Sequence, residues 1–186
     1  MELSPLHHNA PPFPRCIALP READVYALLE ELGVEYDCVA TEPADTMEKC
    51  AAIAEVLDTP VCKNLFLCNR QKTKFYLLAM APDKPFRTKD LSRQINSARL
   101  SFAPEEELHR LLGCFPGSAS VLGVMHDTEQ QVQLLMDRET YEAPFFGCHP
   151  CNCTATLKLK TTDLLEKILP RTGHAVTVVD LPWDTE

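Results

Sequence analysis

The stretch VCKNLFLCNRQKTKFYLLAMA, residues 61–81, decides how the chain is organised. Two apolar, β-rich runs, 61–69 and 73–81, flank Arg70, Gln71 and Lys72. So short a connection joins antiparallel neighbours, because parallel strands need a long crossover. The stretch therefore reads as a hairpin-like pair. Alternation sets Val61, Lys63, Leu65 and Leu67 on one face and Cys62, Asn64, Phe66 and Cys68 on the other. Lys63 stands out, because an ammonium is costly to bury in so apolar a run. Two readings stay open for it: a strand-end lysine that snorkels to water, or an ammonium directed into a substrate cleft.

Outward from the hairpin, helices and strands mix without strict alternation. READVYALLEEL (21–32) has Val25, Leu28, Leu29 and Leu32 at helical spacing, with Gly33 as a stop. VEYDCVA (34–40) alternates as a strand, and 44–58 forms a second helix with Met47, Ala51, Ala54 and Leu57 along one stripe. Helices are expected over 88–96, capped by Thr88, and over 104–113, entered through Pro104 and stopped by Gly113. Residues 114–124 read as a turn leading into a short strand, 131–137 as a strand, and 144–159 as an irregular entry followed by a strand. A helix over 161–169 with Thr162 as its cap and a strand over 174–181 complete the chain. The pattern predicts an α+β fold: a mixed, partly barrel-like sheet with helices outside, not a doubly wound parallel sheet.

The 186 residues suit one domain, 20–186, behind an extended, proline-rich arm over 1–19. Hydrophobic content of 45% and charged content of 24% are ordinary for a soluble globular protein. No apolar run is long enough to span a membrane, and the first residues do not have the pattern of a secretory signal. A cytoplasmic setting with reduced thiols is expected, and the nine cysteines, an odd number, argue against a disulfide framework. The net charge of −9 disfavours nucleic-acid binding over the whole surface. Between Lys63 and Arg99, however, nine basic residues face two acidic ones, a local balance of +7. This is either a solvated face or a surface that tracks phosphates.

GCHPCNC (147–153) crowds Cys148, His149, Cys151 and Cys153 onto one short segment. Structural zinc sites usually combine two separated pairs, and a redox Cys-x-x-Cys normally caps a helix, whereas a strand follows here. Alternation sends Cys151 and Cys153 to one face and Asn152 to the other. The favoured reading is a strand-entry turn with buried thiols and His149 directed into a cleft. FPGSASVLGV (115–124) is a Pro-Gly turn followed by small residues, whose exposed amides suit a carbonyl or an anion.

In this order, CKNLFL, FYLLAM, EEELHRLLGCFPGSAS and GCHPCNCTATLKL before TTDLLEKIL resemble the YbaK-like aminoacyl-tRNA deacylases, in particular their prolyl-tRNA editing branch, over about residues 20 to 180. The resemblance implies a YbaK-like fold and a trans-editing hydrolase that cleaves the ester of mischarged tRNA, with alanine on proline tRNA as the usual substrate. It places the family's cleft lysine on Lys63, its asparagine on Asn64 and its loop histidine on His149, beside Gly147 and Pro150. The substrate loop falls on Gly117, Ser118, Ala119, Ser120 and Val121, where Val121 replaces the family's proline and loosens the loop. No metal or cofactor is implied. The implied partners are the acceptor end of proline tRNA and prolyl-tRNA synthetase, with no membrane.

These residues imply direct attack by water, with Lys63 fixing the terminal adenosine, Asn64 and His149 fastening the sugar or amino group, and the 117–121 backbone holding the aminoacyl group. A pocket barely larger than a methyl group would admit alanine and exclude proline, which an activation site built for proline cannot do in reverse. The alternatives are a non-catalytic module that binds aminoacyl-tRNA or a synthetase, a deacylase for cysteine or serine, and a thiol-rich metal carrier.

Overall fold

The computed structural model describes residues 3–12, 20–41 and 47–184. Residues 1–2 and 13–19 of the expected 1–19 arm and the first residues of the 44–58 helix lie outside these ranges. The hairpin is present. Strand β3 (Lys63–Asn69) pairs antiparallel with β4 (Phe75–Met80), Lys63 opposite Met80 and Cys68 opposite Phe75. They form the middle of a five-stranded sheet with β5 (Leu100–Phe102), β6 (Val132–Asp137) and β9 (Val176–Val179), in the order β5-β3-β4-β6-β9. β4–β6 and β6–β9 are parallel, so this sheet is mixed. A four-stranded antiparallel sheet holds β1 (His7–His8), β2 (Tyr36–Ala40), β7 (Phe145–Cys148) and β8 (Ala155–Lys160), in the order β1-β2-β8-β7.

The strand parity read from the hairpin holds. Phe66 and Cys68, with Phe75, Leu77 and Ala79 of β4, face a central core shared with the second sheet. Leu65 and Leu67, with Tyr76, Leu78 and Met80, face a second core closed by Leu91 of α3 (Thr88–Gln94). Every residue of β4 is therefore buried, the signature of a strand covered on both faces. Helix α1 (Pro20–Glu31) closes the central core with Val25, Tyr26, Leu28 and Leu29. Helix α4 (Glu105–Leu112) adds Leu108, Leu111 and Leu112. On the outer face of the second sheet, Ile53 and Leu57 of α2 (Met47–Leu57) pack on Val39 and Val61.

The two sheets meet at one backbone seam. Val61 bridges to Gly147 in parallel sense. Gly147 N donates to Pro60 O at 2.8 Å and Cys62 N donates to Gly147 O at 2.8 Å. A Cβ at position 147 would sit 3.0 Å from Pro60 O and 3.0 Å from Val61 Cα. The sheets are thus joined but not closed into a barrel.

Several local expectations are corrected. Residues 121–126 form a 3-10 turn (Val121–His126), not a strand, because Ser120 caps it by accepting from Leu122 N at 3.1 Å. The entry before β8 contains a strand of its own, β7, and Cys151 has φ +60°, so 151–154 turn and do not alternate. The inward residues of α2 are Ile53 and Leu57, with Cys50 and Ala54 beside them, while Ala51 is exposed. Thr88 is the first helical residue of α3, with Arg87 in the cap position. The expected 161–169 helix runs from α6 (Thr161–Asp163) through a π-helical turn (Leu164–Ile168) into α7 (Leu169–Thr172), with Lys160 and not Thr162 in the cap position. A short helix, α5 (Arg138–Glu142), follows β6. Gly113 ends α4 at φ +64°, as expected.

Gly147→Ala is expected to cost roughly 1–3 kcal/mol, the range for forcing extra atoms into a tight site. Urea unfolding of the two proteins measures it; equal midpoints would mean that the seam tolerates a methyl group.

Candidate functional site

The first two residues of β3 follow directly after the seam. Lys63 is half-buried, and its Nζ donates to the backbone oxygen of Lys84 at 2.5 Å. Burial lowers its pKa from the ordinary lysine value, and the negative charge of Asp83 opposes that shift. Asn64 donates through Nδ2 to Cys62 O at 3.2 Å, which fixes the orientation of its amide. Its Oδ1 is buried without a donor among the described residues. Such an orphan acceptor calls for an N–H or O–H from outside.

His149 follows β7 and is buried. Its Nδ1 lies 2.9 Å from Ala155 O, which can only accept, so Nδ1 carries the proton and Nε2 keeps its lone pair. Thr156 Oγ1 stands 3.3 Å from the same nitrogen. Burial pushes the imidazole pKa down, opposed by the bond to Ala155. Thr156 is opposite Val39 in the β2–β8 ladder, on the face that α2 covers.

The 117–121 stretch begins as a type II-like turn, with Pro116 leading and Gly117 at φ +84°. Ser118 N closes it onto Phe115 O at 2.9 Å, and Ser118 Oγ accepts from Phe115 N at 2.9 Å. Gly117 is exposed, Ala119 is half-buried, and Ser120 and Val121 are buried. Ser120 is also hydrogen-bonded to the thiol of Cys148, which ties this turn to the seam. Ser118 and Ser120 side chains cap the turn and Val121 is buried.

The thiols are packed, not clustered as ligands. Burial pushes Cys62 and Cys38 up to about 12, and Cys148 well above the usual thiol range. Cys151 is raised too, first by its hydrogen bond to Cys114. These thiols are protonated at neutral pH and are not nucleophiles. Among the described residues no three His, Cys, Asp or Glu side chains are placed to share a metal ion.

Beside Lys63 is a cavity of about 430 Å³, walled by Cys50, Ala51, Ala54 and Glu55 of α2, by Asp58 to Val61, and by Pro82 and Asp83. Asp83, which acts on the Lys63 ammonium, forms part of its rim. Lys63, Asn64, His149 and 117–121 do not line it directly. The structure places Lys63 and Asn64 next to each other in the chain just after the seam but on opposite faces of β3, with Ser120 linked to the seam through Cys148 and His149 on the side of α2. The contribution of α2 and of the 81–84 turn escaped the sequence reading. Their only sequence signal is Pro82-Asp83 directly after an apolar strand.

The chain thus has a mixed α+β fold with a half-buried ammonium and a cavity close to the point where its two sheets meet. Residues 41–167 match the aminoacyl-tRNA editing domain family, and the chain belongs to that family. The chain is 31% identical over 157 residues to the prolyl-tRNA editing protein ProX of Acetoanaerobium sticklandii, covering 84% of this chain and 95% of that protein. It is 29% identical over 153 residues to the prolyl-tRNA synthetase associated domain-containing protein 1 of Danio rerio, covering 81% and 82%. A crystal structure described as a candidate trans-editing enzyme for prolyl tRNA synthetase superposes with a TM-score of 0.64 at 16% identity, over 89% of this chain and 99% of that one. The fold and the YbaK-like assignment stand on these matches.

His149 makes stability depend on pH with a definite sign. Its folded pKa lies below the ordinary imidazole value of 6.5, so the unfolded chain takes up the proton first. Stability is full above about 6.5 and falls as the pH drops through the folded value. His126 shifts in the same direction. The urea midpoint should fall between about pH 7 and pH 5, and His149→Gln should flatten part of that slope. An unchanged slope in the variant would contradict a neutral His149.

Proposed function

We propose that the protein is a trans-editing aminoacyl-tRNA deacylase acting on Ala-tRNA(Pro) by direct attack of water. The observation that carries this reading is a half-buried ammonium at the start of β3, close to a cavity whose rim includes Asp83, in a chain of the editing-domain family. The prolyl part of the proposal comes from the two relatives named for prolyl-tRNA editing and prolyl-tRNA synthetase association.

In this scheme Lys63 fixes the phosphate or sugar of the terminal adenosine and so sets the ester in place. Asn64 Oδ1 accepts from a sugar hydroxyl or from the substrate's α-ammonium, and His149 Nε2 offers a second acceptor. The 117–121 backbone, with Gly147 beside it, holds the aminoacyl group and places the water. Protonated thiols make a covalent cysteine route unfavourable. The cavity of about 430 Å³ near Lys63 is of a size that takes a whole small ligand and would receive the part of the acceptor end beyond the ester. Selection against proline would then rest on the walls nearest the ester.

The basic segment supplies the approach. Lys84 is buried and Arg87 is paired with Asp90, so neither serves a phosphate. Lys89 and Arg93 on α3, and Arg70, Lys72, Lys74 and Arg99 at the far end of the sheet, are exposed. Along β3 the far end lies roughly 20 Å from Lys63, at about 3.3 Å per residue, a span suited to following an acceptor stem. The setting is the cytoplasm, where charged tRNA and the synthetase meet.

Lys63→Ala should lower kcat/KM for alanylated proline tRNA by at least about 100-fold while leaving the melting curve intact. A panel of mischarged tRNAs decides between alanine, cysteine and serine; binding without turnover on every member would make the protein a recognition module. Lys89→Ala/Arg93→Ala should weaken tRNA binding and reduce the salt slope of affinity by about 1–2.

A further inference from the structure

Lys84 occupies two environments at once. Its side chain is 3% exposed, and its Nζ lies 2.7 Å from Oδ2 of the fully buried Asp137, the last residue of β6. Its backbone oxygen, at the other end of the same residue, takes the Lys63 ammonium at 2.5 Å. The turn between β4 and α3 is held at this point by its own Lys84 N to Ala81 O bond of 3.3 Å and by the buried pair.

The pair is in turn fastened to the C-terminal segment. Asp137 Oδ1 accepts from Leu181 N at 2.9 Å. Glu139 Oε1 lies 3.3 Å from Lys84 Nζ and accepts from the indole N–H of Trp183 at 2.5 Å. The Trp183 ring centroid is 5.3 Å from Lys84 Nζ. The carbonyl that sets the Lys63 ammonium is therefore carried on a turn whose position is dictated by the ends of two distant strands.

We propose that the Lys84–Asp137 pair, with Glu139 and Trp183 behind it, is a positioning device for Lys63. Lys84 is the positioning residue: its side chain anchors the turn, and its carbonyl holds the Lys63 Nζ at the seam. A buried ion pair is a poor device for stability, since apolar replacements of similar volume often serve as well. It is a good device for fixing a carbonyl, because the ammonium can sit in only one place. The proposal rests on reading Lys63 as the working cation of the site.

The test compares the full-length protein with Lys84→Met/Asp137→Asn, which removes both buried charges and keeps an acceptor for Leu181 N. A second variant, Glu139→Gln/Trp183→Ala, changes only the exposed half of the clamp and leaves the buried Lys84–Asp137 pair in place. The first readout needs no substrate: the NMR titration of the Lys63 side chain, labelled at Cε and assigned by its loss in Lys63→Ala. The second is single-turnover deacylation of alanylated proline tRNA over a range of enzyme concentrations. The buried double variant should shift or broaden the Lys63 resonance. It should lower the saturated rate by about 10-fold or more, with less than about a 2-fold change in the half-saturating concentration. The outer variant should act in the same direction by about 2–5-fold. A Lys63 resonance unchanged in both variants overturns the proposal, as does a loss confined to tRNA affinity. If the wild-type protein does not deacylate the tRNA, the deacylase reading fails, and the resonance alone decides whether Lys84 positions Lys63. If the buried variant does not fold, the outer variant decides by the same two readouts.

Discussion

Everything distinctive about this molecule depends on the backbone of Gly147 lying against Pro60, Val61 and Cys62. Two hydrogen bonds of 2.8 Å join a strand of each sheet there, at a distance no Cβ would permit without displacement. A covalent turn would give each sheet its own edge. The seam instead makes the edge of one sheet the continuation of the other, and it does so two residues before Lys63. The polar start of β3 is held at the junction of the central core and the α2 core, where a cavity can open without exposing either.

The chemistry around the seam follows from low polarity. Cys62, Cys148 and Cys38 are desolvated and held protonated. His149 is kept neutral by burial, and its tautomer is set by Ala155 O. Asn64 Oδ1 is buried without a donor among the described residues. In such surroundings one ammonium and a few fixed dipoles act more strongly than in water. The price is that each must be held by its neighbours, and the bond from Lys63 to Lys84 O is the clearest instance.

Apart from Lys63 itself, charge along 63–99 is divided by the fold into three roles that composition cannot separate. Lys84 becomes internal structure against Asp137, Arg87 is used within α3's first turn, and the exposed remainder forms a track from α3 to the hairpin tip. An acidic body with one basic track limits where a polyanion can lie.

The local sequence by itself determined the hairpin, the parity of its residues and the stop at Gly113, because alternation, turn chemistry and a left-handed glycine act within a few residues. It also drew notice to Lys63, His149 and the turn at 117–121, while the resemblance to the deacylase family added Asn64 and gave all of them their roles. It did not reveal that 121–126 is helical or that β7 exists. The Ser120 cap and the pairing of Gly147 with Pro60 and Cys62 are contacts that outweigh short-range pattern. Nor could it show the α2-lined cavity or the pairing of Lys84 with Asp137, residues far apart in the chain. Which buried cation meets which buried anion is decided by how sheets and helices pack, since desolvation makes only one arrangement affordable.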